Sequence, residues 1–526
     1  MTPLPPADAA PTRAADSRWW LVAILALVAA AWALQVAGGR FLPSIDDCVR
    51  LAWCRIWRFE PFLATKSPYW PLGPFIVTGS LGNVHAFVDG WRVTLPTVLF
   101  YLGGLALLGW PTREARSPFS PWTAAVMASV PLTQRLTATV LSEGMYFLGL
   151  AATLRALDAF RRDPSPMRAA LLAPGPLLLV WSRYEGWFYT AMLGAAALVI
   201  ALHDERARIR THLALLAVAF IVVSYPVFWL YLNERWQGDF LAPWTVAAGS
   251  TLPGDFATRV GWGVEWTLWA GPAAIIAGLA GAVLALRRRR WDELAVAGLL
   301  AFPFVSLIVN DKVGTIMPER FAFGVFVACA LLGGEAIRAA VARLHESPRA
   351  ATGLRALALG SVVAASFWVG VLDKPNKLQE IRIAGQQLYL EHPAKVILFD
   401  TVGYSSTLDD SVVYQAAWPY GGVIEDQYVL DRLPLSAEYL RELGAEWVLH
   451  KLPLDESRVQ PPVVERRSLP YGWKAARLDL LAPNVQHDLA RCSAFPDTRA
   501  SPPPKCTVKP ESARSCARRT SPAESR

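Results

Sequence analysis

Long apolar runs are the feature that most constrains how this chain folds. Residues 19–37 contain no charged side chain and match the roughly 20 mainly apolar residues that a helix needs to cross a bilayer. Similar runs recur up to residue 372, and they predict an α-helical polytopic membrane protein with about eleven transmembrane helices. The predicted helices cover residues 19–37, 92–110, 120–134, 137–157, 169–183, 185–203, 212–232, 264–286, 294–310, 321–339 and 354–372.

The composition of the 526-residue chain also fits a lipid environment. The chain is 53% hydrophobic and 18% charged, whereas soluble domains carry about 25% charged residues. It contains 22 tryptophans, whose indole rings collect at membrane interfaces. A net charge of +8 would suggest nucleic acid in a soluble chain, but much of the arginine lies in short loops between apolar runs. We therefore expect membrane lipids, and no nucleic acid, as partners.

The loops between the predicted helices alternate in charge. Every second loop is short and rich in arginine, and the loops between them are longer or nearly uncharged. Because basic loops remain in the cytoplasm, we predict a cytoplasmic segment 1–18 and an outer position for the first loop, 38–91, and for everything after about residue 373. The first apolar run lacks a small-residue cleavage site, which indicates an anchor and not a signal peptide. The basic loops are 111–118, 155–168, 204–211, 287–290 and 338–349.

The part of the chain after residue 372 has the pattern of a small folded domain. Short apolar runs bounded by turn residues indicate strands, and residues 436–444 have the Ser cap, apolar spacing and final Gly of a helix. Together they predict an extracytoplasmic α/β domain over residues 373–483. Residues 484–526 lack apolar periodicity, which is typical of a disordered tail. The predicted strands are 394–404, 411–415, 445–452 and 476–481.

Charged residues follow directly after the first predicted helix, in the sequence SIDDCVR (44–50). One interpretation is structural, because Asp46 and Asp47 suit the start of a helix. The rest of the loop favours a functional role as well. Residues 51–59, LAWCRIWRF, mix aromatic and basic side chains as a helix on a membrane surface does. Lys66 then precedes an aromatic stretch, broken by proline, that returns to the membrane.

Several motifs, in this order, resemble a known family. They are DDCVR, LSEGMYFLGLAATLRAL (141–157), SRYEGWFY (182–189), MPERF (317–321), VILFDTVGY and YLRELGAEWVLHK. The chain resembles the integral-membrane glycosyltransferases of the GT-C class, which include protein O-mannosyltransferases and the aminoarabinose transferases of lipid A. The resemblance covers nearly the whole chain. It implies a GT-C-like transmembrane domain over residues 19–372 with a catalytic first outer loop.

The resemblance also implies a reaction. In this class the donor is a sugar on a polyprenyl phosphate, and the sugar moves to an acceptor hydroxyl at the extracytoplasmic face. A carboxylate of the first outer loop would be the general base. Asp47 matches an acid three residues before an arginine and Asp46 matches an acid–acid pattern, so both remain candidates. Arg50, Lys66 and Arg320 would bind the donor phosphate, since cations stabilise the leaving group.

A second group of ionisable residues lies at predicted outer ends of helices. Glu143, Arg183, Tyr184 and Glu185 are candidates for a substrate pocket, because ionisable groups at such depth are costly unless they are paired or functional. The other interpretation of Arg183 and Glu185 is a structural ion pair, and Glu143 could bind an acceptor, an arginine or only the helix backbone. The sequence shows no metal-ligand spacing and indicates no definite cofactor. Because some members of the class use a divalent ion, metal dependence stays open.

The acceptor is not readable from the sequence and is a lipid, a glycan or a protein. The alternative function is that of a polytopic lipid or solute transporter or flippase without catalysis. Transporters commonly show internal repeats and ionisable residues near the bilayer midplane, whereas this chain has no evident repeat and its charged candidates cluster at the predicted outer face. The composition, rich in alanine and arginine, suggests a bacterial inner membrane protein.

Overall fold

The computed structural model describes two compact units. The described residues up to 38, 71–77 and 94–372 form a helical unit, and a second unit contains a four-stranded sheet. The structure describes residues 10–38, 71–81, 90–111, 117–137, 139, 142–204, 209–241, 255–309, 318–344, 347–372, 387, 396–399, 445–450, 462–469, 472 and 474–479.

Within these ranges the chain forms fifteen α-helices and four strands. A 3₁₀ segment, Pro318–Ala322, precedes α14, and a π-helical turn, Trp368–Leu372, continues α15. The helices are α1 (Ala10–Ala37), α2 (Gly73–Leu81), α3 (Gly90–Gly109), α4 (Pro121–Ala128), α5 (Pro131–Thr137), α6 (Glu143–Arg162), α7 (Pro166–Ala170), α8 (Pro174–Ser182), α9 (Tyr184–His203), α10 (Ile209–Gln237), α11 (Phe256–Ala270), α12 (Pro272–Arg287), α13 (Trp291–Val309), α14 (Phe323–Arg343) and α15 (Pro348–Phe367).

Six of the described helical segments are long and apolar enough to cross a membrane. They lie in α1, α9, α10, α13, α14 and α15 with its π-helical turn. Helices α11 and α12 meet the same criterion as a pair, which would bring the number to seven. The mostly helical character and the integral-membrane class predicted from the sequence are therefore confirmed, whereas the number of eleven spans remains a prediction.

The structure breaks the predicted span 264–286 into α11 and α12, which meet at an angle of 105°. Gly271, with φ −170° and ψ 66°, ends the first helix, and Pro272 starts the next because proline is favoured in the first helical turn. A β-carbon on Gly271 would lie 3.0 Å from Val130 and 3.1 Å from Phe326. Val130, between α4 and α5, and Phe326, in α14, therefore pack directly against the bend.

The two shortest predicted spans also correspond to short helices. The run 120–134 contains α4 and the start of α5, of eight and seven residues, and the run 169–183 contains α8, of nine. Each of these helices has proline at its start, where the missing N–H costs nothing. A helix of nine residues is only about 14 Å long at 1.5 Å per residue, which is shorter than the hydrocarbon core of a bilayer.

The helical unit is held together by close helix contacts through small residues. Where α12 crosses α14, a β-carbon on Gly278 would lie 2.6 Å from the sulfur of Cys329, and one on Gly281 would overlap the backbone of Leu332. Glycine allows this approach, as is usual between membrane helices, where packing replaces the hydrophobic effect. Helix α6 lies at the centre, with Phe147 and Leu150 fully buried.

Three of the basic loops lie at one end of the helical unit, here called the basic end. Arg161, at the end of α6, binds Asp292, at the start of α13, with 2.7 Å between Nη1 and Oδ2. Arg290, in the turn between α12 and α13, binds Glu335 near the end of α14 with 3.1 Å between Nη1 and Oε1. Antiparallel helices thus bring arginines from distant parts of the sequence to the same side.

The second unit contains a mixed sheet with strand order β1-β2-β4-β3. Strands β1 and β2 are parallel, and the other pairs are antiparallel. The predicted strands 394–404, 445–452 and 476–481 overlap β1, β2 and β4. The strands are β1 (Val396–Phe399), β2 (Ala445–His450), β3 (Val463–Ser468) and β4 (Lys474–Leu478).

Strand β3 was missed because its sequence, VVERRS, is mostly charged after two valines. Its residues alternate between half-buried and exposed, and Glu465 binds Arg467 and Arg477 at 2.6 and 3.1 Å. The predicted strand 411–415, helix 436–444 and tail 484–526 lie outside the described residues. A small C-terminal sheet is therefore confirmed, and its assignment as an α/β domain remains a prediction.

Candidate functional site

Glu143 is the first residue of α6 and is only 1% exposed. A carboxylate in the first turn of a helix is stabilised by the helix dipole. The next residue, Gly144, lies so close to the backbone carbonyl of Thr97 in α3 that a β-carbon would not fit. The sequence Ser-Glu-Gly therefore brings the start of α6 against α3 and places the acid inside the helical unit.

Arg183 lies at the break between α8 and α9. Its backbone is extended, with φ −154° and ψ 154°, which separates the two helices. Its Nη1 donates a hydrogen bond to Oε1 of Glu143 at 2.5 Å, and its Nε donates to Oε1 of Glu185 at 3.1 Å. Arg183 therefore joins an acid at the start of α6 to an acid in the first turn of α9.

Arg320 approaches the same carboxylate from a third part of the chain. It lies in the 3₁₀ segment before α14, its side chain is 4% exposed, and its Nε donates to Oε1 of Glu143. One oxygen of Glu143 thus accepts from two guanidinium groups that are 137 positions apart in the sequence. We call Glu143, Arg183, Glu185 and Arg320 the Glu143 cluster.

The Glu143 cluster is balanced in charge, since it contains two arginines and two glutamates. Side-chain exposure is 11% for Arg183 and 15% for Glu185, and lower for the other two residues. Burial of charges is tolerated only when they are paired and hydrogen-bonded. The ion pairs therefore account for how four charged side chains remain inside a largely apolar helical unit.

Aromatic rings border the Glu143 cluster. The guanidinium carbon of Arg183 lies 6.0 Å from the ring centre of Tyr146 and 5.7 Å from that of Phe321, within reach of a cation–π contact. Such a wall excludes water and strengthens electrostatic interactions within it. The cluster lies at the start of α6, at the opposite end of that helix from Arg161 and the basic end.

Tyr184, the fourth residue of the predicted pocket, is directed to a different neighbour. Its hydroxyl accepts a hydrogen bond from Nε1 of Trp229 in α10 at 2.8 Å, and its ring packs edge-on against Trp187. The structure therefore brings together Glu143, Arg183 and Glu185, adds Arg320, and leaves Tyr184 beside them with a hydrogen bond to α10.

The candidates of the first outer loop, Asp46, Asp47, Arg50 and Lys66, lie outside the described residues. Their predicted roles remain predictions. The structure does describe residues 71–81 of the predicted loop 38–91, from Pro71 to the end of α2.

A short part of the predicted first outer loop, Leu72 and Gly73, is fixed beside the Glu143 cluster. The N–H of Leu72 donates to the hydroxyl of Tyr225 in α10 at 2.8 Å. A β-carbon on Gly73 would lie 2.6 Å from the carbonyl oxygen of Trp181 and 2.9 Å from Cε of Met145. Trp181 and Met145 are each two residues from a member of the cluster. Leu72 and Gly73 therefore lie against the helical unit next to these charges.

Two tyrosines that matter for this arrangement were not predicted from the sequence. Tyr225 anchors Leu72, and Tyr189 in α9 donates to the carbonyl of Leu300 in α13 at 2.6 Å. Both lie within apolar runs, where a tyrosine is usually a packing residue. The sequence feature that could have indicated these contacts is the tyrosine hydroxyl, because a buried hydroxyl in a membrane helix needs a hydrogen-bond partner.

No group of three or more His, Cys, Asp or Glu side chains with the spacing of a metal site occurs among the residues that the structure describes. The acidic pair of the first outer loop is not among those residues. The donor set of the Glu143 cluster, two carboxylates each bound by arginine, suits an ion-pair network better than a cation.

Membrane-length helices, a small C-terminal sheet and a charged cluster at one end of the helices define a polytopic integral-membrane protein. Its fold is similar to that of ArnT from Cupriavidus metallidurans. The crystal structure of ArnT bound to undecaprenyl phosphate has a TM-score of 0.55 and 14% sequence identity, over 87% of this chain and 97% of that one. The apo structure has a TM-score of 0.56 and 14% identity, over 88% and 98%. No protein-family profile matches the sequence, and no curated protein matches it.

Proposed function

We propose that this protein is a glycosyltransferase that moves a sugar from a polyprenyl-phosphate donor to an acceptor hydroxyl at the extracytoplasmic face of a membrane. The observation that carries the proposal is the Glu143 cluster, in which Glu143 gathers two arginines at one end of the helices. The class of donor follows from the shared fold, because one of the similar structures is described as ArnT bound to undecaprenyl phosphate.

The leaving group of this reaction is a phosphate, which requires fixed positive charge. Arginine suits the task because it stays protonated and presents a planar fork of donors. The carboxylate of Glu143 holds the guanidinium groups of Arg183 and Arg320 in place before the donor binds, and preorganised charge is what lowers the barrier. We assign Arg320 to the donor phosphate, and Glu143, Arg183, Tyr184 and Glu185 to the substrate pocket.

The proposed chemical step is a displacement at the anomeric carbon of the sugar. The acceptor oxygen forms the new bond to that carbon while Asp47 or Asp46 takes the hydroxyl proton. The bond between the anomeric carbon and the phosphate oxygen breaks, and its electron pair stays on the polyprenyl phosphate. Arg50 and Lys66, together with Arg320, stabilise the negative charge on that leaving group.

The position of Leu72 supports a role for the first outer loop in the same site. Leu72 is fixed to α10 by Tyr225, close to Trp181 and Met145. Lys66 precedes Leu72 by six residues, so the covalent chain alone keeps it within about 22 Å of this anchor. A loop tied down beside the Glu143 cluster can supply the acid and cations that the reaction needs.

The distribution of arginine supports the proposed orientation. The Glu143 cluster lies at the end of α6 opposite to Arg161 and the basic end. Basic loops remain in the cytoplasm, so we assign the basic end to the cytoplasm and the Glu143 cluster to the outer face. A bacterial inner membrane, with its polyprenyl-phosphate lipids, suits this arrangement. The acceptor is a lipid, a glycan or a protein of the cell envelope.

A transporter or flippase is the second candidate function. The observation that favours it is the 105° bend between α11 and α12, because transporters commonly bind substrates at interrupted helices. The charged side chains of the Glu143 cluster, however, belong to helix ends and to the 3₁₀ segment, and not to the residues at the bend. The bend is formed by Gly271 and Pro272, and its neighbours Val130 and Phe326 are apolar.

A transfer assay tests the proposal. The purified protein in proteoliposomes receives a polyprenyl phosphate carrying a radiolabelled sugar, with a bacterial membrane extract as the source of acceptors. We expect label in an acceptor with the wild type and a loss of about 10²- to 10⁴-fold in rate with Asp47→Asn or Asp46→Asn, the usual effect of removing a general base. Equal transfer by both variants would contradict the base assignment, and no transfer by folded wild type from any donor would favour the transporter.

A further inference from the structure

Four consecutive arginines, Arg287–Arg290, end α12 and form the turn to α13; we call these four residues the Arg turn. Two of its side chains reach back to α14. Nη1 of Arg288 lies 3.5 Å and Nη1 of Arg290 3.1 Å from Oε1 of Glu335, which Arg338 also binds. Glu335 is 8% exposed. These contacts fix the Arg turn against α14.

The other two arginines of the turn are exposed, and the structure gives them no ion pair among its described residues. Arg289 has φ 53°, a left-handed conformation that glycine adopts freely and that residues with a β-carbon adopt rarely. A glycine just after a helix would relieve this strain. An arginine at such a position points to a use for its side chain, since an observed backbone outlier is a reason to look for function.

An exposed apolar stripe on α12 leads to the Arg turn. Ile276, Leu279, Val283 and Leu286 are 50–69% exposed, and their spacing places them on one face of the helix. The opposite face, which contains Gly278 and Gly281, packs on α14. In an integral-membrane protein the exposed apolar face meets acyl chains. It ends at the exposed Arg287.

The start of α13 adds an aromatic side chain to this surface. Trp291 follows the Arg turn directly and is 62% exposed. Tryptophan is enriched at the level of lipid headgroups, where its ring is partly in the apolar layer. Charges at the surface are unbalanced, because the Arg turn, Arg338 and Arg161 supply six positive charges and Asp292, Glu293 and Glu335 supply three negative ones. The excess of three positive charges favours an anionic partner.

We propose that the Arg turn, the apolar stripe and Trp291 form a binding site for a phospholipid with a net negative headgroup. Its acyl chains lie along the stripe of α12, and its phosphate is bound by Arg287 and Arg289. Basic surfaces at the ends of membrane helices are known to select such headgroups. The site lies at the basic end and is separate from the Glu143 cluster, so it does not depend on the proposed reaction.

Lipid binding is tested by native mass spectrometry of the purified protein in detergent. The probes are phosphatidylglycerol, which is anionic, and phosphatidylcholine, which is zwitterionic, added at equal concentrations. The test variant is Arg287→Ser combined with Arg289→Gly, because glycine suits φ 53° and should preserve the turn. The control is Arg168→Ser combined with Arg210→Ser, which removes two exposed arginines elsewhere and gives the same net charge.

We expect the wild type and the control to bind phosphatidylglycerol in preference to phosphatidylcholine, and the test variant to bind it about 30-fold more weakly. That ratio is equivalent to about 2 kcal/mol at a factor of ten per 1.4 kcal/mol. Equal binding by all three proteins would overturn the proposal, as would equal binding of the two lipids by the wild type. An equal loss in the test variant and the control would also overturn it, since it would show a general charge effect.

Discussion

Glu143→Gln is the substitution that examines the Glu143 cluster most closely. Glutamine has nearly the shape of glutamate but no charge. Arg183 and Arg320 would then face one carboxylate, that of Glu185, instead of two. The amide oxygen can still accept from one guanidinium, but the amide NH₂ meets the donors of the other. The change therefore converts a neutral buried cluster into one with a net charge of +1.

The size of the expected effect follows from burial. The side chains of Glu143 and Arg320 are 1% and 4% exposed, so water cannot compensate for the lost carboxylate. Removing one partner of a buried ion pair costs about 3–5 kcal/mol. Arg183, which is 11% exposed and retains Glu185, should account for the smaller part of this loss. We expect Glu143→Gln to lower the free energy of unfolding by about 3 kcal/mol.

Thermal unfolding in detergent measures this loss, and the transfer assay measures its effect on function. Glu234→Gln is the matched control, since Glu234 is exposed on α10 and should unfold like the wild type. Adding Arg320→Gln to Glu143→Gln should recover stability, because both charges of the pair are then gone. If Glu143→Gln unfolds at the same temperature as the wild type, the ion pairs of Glu143 do not stabilise the buried arginines.

Two further predictions concern packing around the site and between helices. Tyr225→Phe removes the acceptor for the N–H of Leu72, and a lost hydrogen bond costs about 1–3 kcal/mol. We therefore expect a transfer rate about tenfold lower and faster amide exchange in residues 71–77. Tyr231→Phe, at an exposed site on the same helix, should change neither rate, and equal behaviour of the two variants would refute the anchoring role of Tyr225. Gly281→Ala forces a β-carbon into the backbone of α14 and should lower the free energy of unfolding by about 1–3 kcal/mol. Gly298→Ala, with open space around it, should leave the unfolding temperature unchanged or slightly raised. An unfolding temperature as high in Gly281→Ala as in Gly298→Ala would show that α12 and α14 are not closely packed at Gly281.

The sequence allowed the helical membrane class and most of the strands to be predicted because both depend on local pattern. An apolar run of about 20 residues has few alternatives to a membrane helix. The bend at Gly271 and Pro272 was not predicted, since the apolar run continues across it without interruption. Hydropathy measures the environment of a segment, whereas the direction of the chain depends on single residues.

The Glu143 cluster was only partly predictable for a different reason. Arg183 and Glu185 are neighbours in sequence, so their pairing could be proposed as an interpretation. The contact of Arg320 with Glu143 joins positions 177 residues apart, and no local pattern indicates it. Tyr225 and β3 show the same limit, because a tyrosine in an apolar run and a charged edge strand acquire their roles from neighbours that are distant in sequence.

The most direct measurement for the proposed function compares two products of one experiment. Proteoliposomes containing the wild-type protein receive a polyprenyl phosphate that is labelled in both the sugar and the lipid, together with the acceptor extract. A glycosyltransferase releases one free polyprenyl phosphate for each sugar that appears on the acceptor, and we expect that one-to-one ratio. Recovery of the intact doubly labelled lipid on the opposite side of the bilayer, with no free polyprenyl phosphate, would contradict catalysis and indicate transport.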